Sequence, residues 1–395
     1  MVGYTHYRTD PRCRREATLA SRNGWETHFY GLSRDGRGHD AIVEGIHLHE
    51  LPLDRYRGQR TSRYLLGYLR FFILAKWALL TGHLRRRFDI VHVNTMPDFM
   101  VFTALGPRLL GARVILDIHD VMPELYMEKF RLPASHWKIR LIRTIEVLSA
   151  RVAHQVVTAE HPKAELLATH GIPARKISVL LNLPDDTIFP AEPLPPRALE
   201  PAVLADPAAE FRLVYHGTLA RRHGLDRAID ALALLGRRWP GMRLDLLGDG
   251  DELILLRAQV VRLGLNDRVG FSGRLRPIEE ILPALRAAHL AVLPTRREPS
   301  TDYMLPTKLL EYLALGIPAL VTPTLTVRRY FGETQPLYLE DPSPEALAEK
   351  IAWVRENYDE ARRRTAEMQR GFFEQFAWSR HRQVYLDLLD RLGRR

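Results

Sequence analysis

The sequence predicts an α/β protein of two doubly wound units, each a parallel sheet covered by helices. Three observations predict it. Short apolar runs alternate with helical patterns through the first half of the chain, as in a sheet buried on both faces. A segment dense in proline follows, PDDTIFPAEPLPPRALEPAVLADPAA, which suits neither a helix nor a central strand. The alternation then resumes to the end of a 395-residue chain, a length that accommodates two or three domains. The expected division is a first domain over residues 1–186, a linker over 187–210, a second domain over 211–375 and a terminal helix over 376–395.

In the first half, strands are expected at Val2 to His6, Glu26 to Gly31, Ile46 to Leu51, Ile90 to Asn94, Val114 to Ile118, Gln155 to Thr158 and Ile177 to Leu181. A helix from Arg12 to Arg22 ends near Gly24. The segment Arg63 to Arg87, RYLLGYLRFFILAKWALLTGHLRRR, is helical and rich in aromatic residues. Arg70 and Lys76 interrupt its apolar core, which falls short of the roughly 20 apolar residues of a membrane span. Two readings of it stand side by side: a helix packed on the sheet, and a helix lying in a membrane interface with its flanking arginines. After Val114 to Ile118 come His119, Asp120 and Glu124, at the carboxyl edge where open parallel sheets bind ligands. The alternative is a capped turn, with Asp120 as N-cap and His119 packed.

The second half begins with a strand Phe211 to His216 and the glycine-bounded loop GTLARRHG from Gly217. Its free N–H groups, with Arg221 or Arg222, suit a phosphate; a basic surface turn is the plain alternative. A helix Leu225 to Leu235 and strands Arg243 to Leu247, Val269 to Ser272 and Leu290 to Pro294 follow. Gly248-Asp249-Gly250-Asp251 hints at a dinucleotide fingerprint, but Leu253 stands where the third glycine belongs. Asp249 and Asp251 also mimic a metal-binding pair, against which stands the commoner N-cap and solvated loop.

Val292 to Thr322 reads as strand, loop, helix and strand. Pro306 suits a first helical turn, Leu309, Leu310 and Leu313 form an apolar stripe, and Gly316 and Pro318 end the helix. Lys308 and Glu311 stand three apart on one face near the helix's positive end. They form either a surface ion pair or a site for a ligand carrying phosphate and sugar hydroxyls, such as a nucleotide sugar.

Composition narrows the classes. Cys13 is the sole cysteine, which excludes intramolecular disulfides and cysteine metal clusters and fits a reducing, cytoplasmic compartment. The opening residues lack the apolar core of a signal peptide, and a chain opening directly on a strand fits a natural start slightly upstream. The net charge is +10; 27 basic against 19 acidic residues through Pro190 place +8 of it in the first half. Such a surplus suits nucleic acid, an anionic membrane or a phosphorylated substrate. No zinc knuckle, basic zipper or RNA-binding aromatic motif supports nucleic acid as a partner.

The words PTKLLEYLALGIP resemble the donor-site helix of retaining glycosyltransferases of family 4, which have the two-domain GT-B fold. LDIHDVMPELY resembles the "HD" loop of a subgroup, THYRTDPR the family's opening loop, ISVLLNLPDDTIF the end of its first domain, and Phe376-Ala377-Trp378-Ser379 the start of its terminal helix. The resemblance implies two Rossmann-like domains facing across a cleft, with the terminal helix crossing back to the first. It implies that Glu311 holds ribose, that Lys308 and Arg222 lie by the diphosphate with Gly217 and Arg221, and that His119 faces the sugar. Arg12, Asp120 and Glu124 would then lie on the acceptor side. Two departures matter. Tyr303, beside Asp302, replaces a glutamate that touches the donor sugar, and His223 replaces a lysine, which shifts the charge onto Arg222 and Lys308. The implied activity is transfer from a UDP- or GDP-type sugar to a glycan or lipid-linked acceptor, of the cell-surface polysaccharide type. No metal or other cofactor is expected. The protein would be cytoplasmic and peripheral on the inner face of the membrane. Two rivals are a nucleotide-sugar epimerase of similar fold and a non-catalytic nucleotide-sugar-binding partner.

Overall fold

The computed structural model describes residues 1–54, 56, 61–186, 188–190, 192–335 and 337–393. The chain forms two compact units, one of Met1–Asn182 with Arg380–Arg395 and one of Leu183–Ser379.

Unit 1 contains β1 (Val2–Gly3), α1 (Pro11–Arg22), β2 (His28–Leu32), β3 (His39–Val43), β4 (Ile46–Leu51), α2 (Thr61–Arg86), β5 (Ile90–Asn94), α3 (Leu105–Leu109), β6 (Arg113–Ile118), α4 (Met122–Phe130), α5 (Trp137–Val152), β7 (Gln155–Thr158), α6 (His161–Thr169) and β8 (Ile177–Val179). The strands form one sheet in the order β3-β4-β2-β1-β5-β6-β7-β8, parallel throughout except β3 against β4. Alternation along each strand divides the core into two layers. Tyr30, Val91, Val93, Leu116 and Ile118 face one, with Phe71, Ala75 and Leu79 of α2 and Ala150 of α5. Phe29, Ile46 and Leu48 face the other, with Cys13 and Ala17 of α1.

Unit 2 contains α7 (Pro201–Ala205), β9 (Phe211–Thr218), α8 (Leu225–Leu234), β10 (Met242–Asp249), α9 (Leu253–Arg262), β11 (Val269–Phe271), α10 (Ile278–Ala287), β12 (Leu290–Leu293), α11 (Thr307–Ala314), β13 (Ala319–Val321), α12 (Leu325–Phe331), α13 (Pro344–Glu356) and α14 (Tyr358–Phe376). Its five strands are all parallel, in the order β11-β10-β9-β12-β13. The last helix, α15 (Trp378–Gly393), belongs to unit 1 from Arg380 onward. Its Tyr385 is buried and bonds His92 Nδ1 of β5 through its hydroxyl at 2.8 Å.

Four differences from the sequence reading have physical causes. The edge strand β3 was unexpected because it is almost wholly exposed and has no buried face to impose an alternation. It is joined to β4 by Glu44 and Gly45, both at positive φ, the backbone of a tight hairpin without the usual asparagine signal. The first strand ends at Gly3 instead of His6. The last strand of unit 1 ends at Val179 because Leu180 O is taken by the Arg12 guanidinium at 3.0 Å and Leu181 N by His381 Nε2 at 2.8 Å. The described residues of the expected linker belong to unit 2. They include the short helix α7, with Pro201 at its first position where a missing N–H costs nothing. The buried Arg355 guanidinium binds the carbonyls of Val203 and Asp206, and Leu194 N donates to Ala314 O at 2.9 Å.

Candidate active site

In unit 2 the carboxyl end of β9, the loop after it and the start of α11 converge. Pro306 is the N-cap of α11 rather than its first residue, so Lys308 is the second helical residue and Glu311 the fifth; Gly316, at φ 70°, caps the far end. Lys308 is half-buried, with its stem against Gly217. Gly217 has φ 104°, and a Cβ there would lie 2.5 Å from Lys308 Cε, so only glycine admits the lysine. The Lys308 ammonium sits over the Tyr215 ring, 5.4 Å from its centroid, and makes no ion pair among the described residues. Burial lowers its pKa; Glu311 pulls against that and Arg222 adds to it.

Lys308 and Glu311 therefore do not form the surface ion pair that their spacing also allowed. Glu311 Oε2 instead lies 2.6 Å from His216 Nε2. The Tyr312 hydroxyl accepts from the His216 backbone N–H at 3.0 Å and lies 2.8 Å from His216 Nδ1. A hydroxyl that donates to Nδ1 leaves the proton on Nε2, directed at Glu311. His216 is thus a positioning residue for Glu311. Sequence reasoning missed it, although its place at the end of a parallel strand was a usable signal.

Arg222 lies in the 3-10 turn Arg221–His223, half-buried, and its Nε is enclosed without a hydrogen-bond partner among the described residues. His223 is buried against Tyr215, at a ring separation of 5.7 Å. Burial, then Lys308 and Arg222, push it down to about 2, so it is neutral at physiological pH. Arg221 is exposed, and its carbonyl accepts from Arg296, whose guanidinium grips Asp226 at 3.0 and 2.6 Å and pins the loop. Among the described residues, the unit thus holds two cationic groups near each other with no carboxylate bonded to either.

Two further expected donor residues, Asp302 and Tyr303, lie in the 3-10 turn that precedes α11. Asp302 Oδ1 accepts from Leu325 N at 3.4 Å and lies 3.6 Å from Arg297 Nε, beside the start of α12, whose N-cap is Thr324. Tyr303 closes the adjoining 3-10 turn Thr301–Tyr303, half-buried. Asp249 and Asp251 are not a helix cap either: Glu252 is the N-cap of α9, and Asp249 Oδ1 accepts from the next residue's N–H at 2.8 Å.

In unit 1, Arg12 is buried rather than presented to an acceptor. Its guanidinium meets Asp117 through Nε at 2.7 Å and Nη2 at 2.9 Å, and Glu16 at 3.2 Å. Asp117, interior to the first layer's opposite face, was not singled out from sequence. Burial opposes its charge, but Arg12 and then His119 hold its carboxyl well below the usual range. His119 Nε2 lies 3.1 Å from Asp117 and 3.3 Å from Asn94 Oδ1, and its carbonyl accepts from Lys163 Nζ at 2.6 Å. Burial would lower the His119 pKa, yet the Asp117 carboxylate raises it. Glu16, His92 and Asp117 are close enough to hold a cation, but the Arg12 guanidinium already lies against both carboxylates. Asp120 is half-buried and does not cap α4, whose N-cap is Val121.

Glu124 is also corrected. It is buried, 3.3 Å from His170 Nε2, while His170 Nδ1 lies 2.6 Å from Glu146. Burial would lower His170, but the Glu124 and Glu146 carboxylates beside its two ring nitrogens push it up to about 9. A histidine raised on folding adds stability that is complete below its ordinary pKa of about 6.5 and is lost as pH rises through about 9. His170→Gln is expected to cost on the order of 2 kcal/mol near pH 6 and far less above pH 10. Denaturant titrations of both proteins at the two pH values check this; an equal cost at both would remove the charged His170 from the account.

With this geometry in place, the relatives identify the class. Residues 11–182 match the family "Glycosyl transferase 4-like domain" and residues 197–371 match "Glycosyl transferases group 1". The chain is a glycosyltransferase of the GT-B fold, its first half matching one of these models and its second half the other. Its particular relatives include the 2-deoxystreptamine glucosyltransferase of Streptomyces kanamyceticus, 25% identical over 276 residues that span 68% of this chain and 69% of that protein. The 2-deoxystreptamine N-acetyl-D-glucosaminyltransferase of Streptomyces fradiae is 27% identical over 68% of this chain and 63% of its own length. Among solved structures, sucrose-phosphate synthase from Thermosynechococcus elongatus superposes with a TM-score of 0.74 at 16% identity, covering 99% of this chain and 98% of that one. Anabaena HepE in complex with UDP-glucose gives 0.69 at 15% identity, over 99% and 98%.

Proposed function

We propose that this enzyme transfers a sugar from a nucleoside diphosphate sugar, of UDP or GDP type, to a glycan or lipid-linked acceptor, with retention and without a metal ion. One observation carries the reading: Lys308, against Gly217, and the nearby Arg222 are both half-buried, and among the described residues no carboxylate is bonded to either. Two such cations are costly to keep near each other unless an anion joins them. A diphosphate is the anion that glycosyl transfer supplies. As the glycosidic bond breaks, negative charge grows on the departing phosphate oxygen, and fixed cations with the amino end of α11 stabilise that charge. The carboxylate held by His216 suits the paired hydroxyls of a ribose. In unit 1, His119 serves the reacting sugar or the acceptor, its basicity raised by Asp117. Nucleotide sugars are also what related folds hold, as HepE does with UDP-glucose.

The cationic pair does the work that a divalent ion does in other transferases, so turnover is expected to survive excess EDTA. The test incubates the protein with a panel of UDP- and GDP-sugars and candidate acceptors in EDTA, following release of nucleoside diphosphate and the anomeric configuration of the product by NMR. Activity that vanishes in EDTA and returns with manganese or magnesium contradicts the metal-free reading; an inverted product contradicts retention.

A further inference from the structure

Helix α2 is apolar on two opposite sides. Phe71, Ala75 and Leu79 enter the core of unit 1, so the helix lies along the sheet between β4 and β5. By length and composition Ser62–Arg86 is apolar enough to cross a bilayer, yet only 17% of its most apolar stretch is buried. At 100° per residue, Leu66, Leu69, Ile73, Trp77 and Leu84 form a stripe facing away from that core. All five are exposed, Trp77 by 61%. Arg70 flanks the stripe on one side and Lys76 on the other.

Helix α5 repeats the pattern. It packs into the same layer as α2, on either side of the 3-10 segment Asp98–Ala104. Ile139, Glu146 and Ala150 are buried, while Trp137, Leu141 and Leu148 project outward, Trp137 being 64% exposed. Lys138 and Arg140 are exposed beside Trp137, with Lys138 Nζ 5.7 Å from the Trp137 ring centroid. Neither helix exposes a carboxylate: α2 contains none, and Glu146 of α5 is fully buried. Monomeric proteins rarely leave apolar surface of this extent uncovered.

We infer that this helical layer of unit 1 docks flat on an anionic bilayer leaflet, with Trp77 and Trp137 at headgroup depth. Charge complementarity selects the occupant. Apolar stripes rimmed by arginine and lysine alone match an interface whose headgroups are negative and whose interior is hydrocarbon. A second copy of the chain is disfavoured, because a two-fold contact would set the same cations against one another. Arg12, Asp117 and Glu16 lie with α1 on the opposite side of the sheet, so docking leaves them uncovered by lipid. Under the proposed transferase activity, which this consequence requires, the enzyme would work on acceptors anchored in the same leaflet.

The experiment co-sediments the full chain with vesicles of phosphatidylcholine, with and without phosphatidylglycerol. Binding is expected only with the anionic lipid, with a blue shift of tryptophan fluorescence, and is expected to weaken as salt shortens the screening length from about 10 Å at 0.1 M to about 3 Å at 1 M. Arg70→Ser, Lys76→Ser and Arg85→Ser together should lower binding at least about tenfold, as should Ile73→Ser with Trp77→Ser. UDP binding in solution should be unchanged in both variants, which separates this result from the fate of the donor-site reading. Absence of binding at low salt, equal binding to neutral vesicles, or a dimer abolished by Ile73→Ser with Trp77→Ser would each overturn the inference.

Discussion

Replacing Lys308 by alanine is expected to lower kcat/KM for the nucleotide sugar by about two to three orders of magnitude, with the fold intact. The ammonium lies at the carboxyl end of β9, against Gly217 and above Tyr215, and no carboxylate among the described residues is bonded to it. A fixed donor aimed at charge that develops in the transition state is worth about 10²–10³ in kcat. Glu311→Ala should behave differently. Its carboxylate is held by His216 and suits ground-state contacts to ribose, so the loss should fall mainly on KM. A charged hydrogen bond of this kind contributes on the order of 1.5–3 kcal/mol. Steady-state kinetics of the two variants against donor concentration check the split. Wild-type kinetics in both would remove this cluster from the mechanism.

The second large effect concerns stability. Asp117→Ala leaves the Arg12 guanidinium inside unit 1, facing a cavity, with Glu16 and Leu180 O as its remaining partners among the described residues. Breaking a buried ion pair by removing one member costs about 3–5 kcal/mol, most of it the desolvated charge left behind. Arg12→Met combined with Asp117→Leu should restore only part of that loss, since it removes the stranded guanidinium but leaves the Glu16 carboxylate buried without it. Denaturant midpoints of the single and double variants report the difference. A single variant within about 1 kcal/mol of wild type would show that Arg12 is less enclosed than its contacts indicate.

Much of this arrangement was legible before any coordinates. The parallel strands read as apolar runs such as Val114 to Ile118, and α11 is bracketed by Pro306 and Gly316 at nearly the expected places. Lys308 and Glu311 stand near the start of that helix because residues three apart share a face whatever surrounds them. What stayed hidden depends on partners distant in sequence. Arg12 reads as one more surface arginine until Asp117, 105 residues away, is seen to bind it. Glu124 follows a plausible ligand loop but turns inward to His170. The edge strand β3, HDAIV, offers no periodic apolar signal because neither of its faces is buried. Helix α2 could not be assigned to core or surface, since its residues are apolar on both sides.

The central claim is that Lys308 and Arg222 hold a nucleotide's diphosphate. The most direct measurement is a calorimetric titration of UDP and of uridine, in EDTA, into the wild type and the Lys308→Ala variant. Two charge-assisted contacts of about 1.5–3 kcal/mol each should make UDP bind at least about a hundredfold tighter than uridine in the wild type. That preference should shrink by about tenfold or more in the variant, while uridine affinity stays the same. Uridine binding as tightly as UDP, or a preference for UDP untouched by the loss of Lys308, would contradict the account.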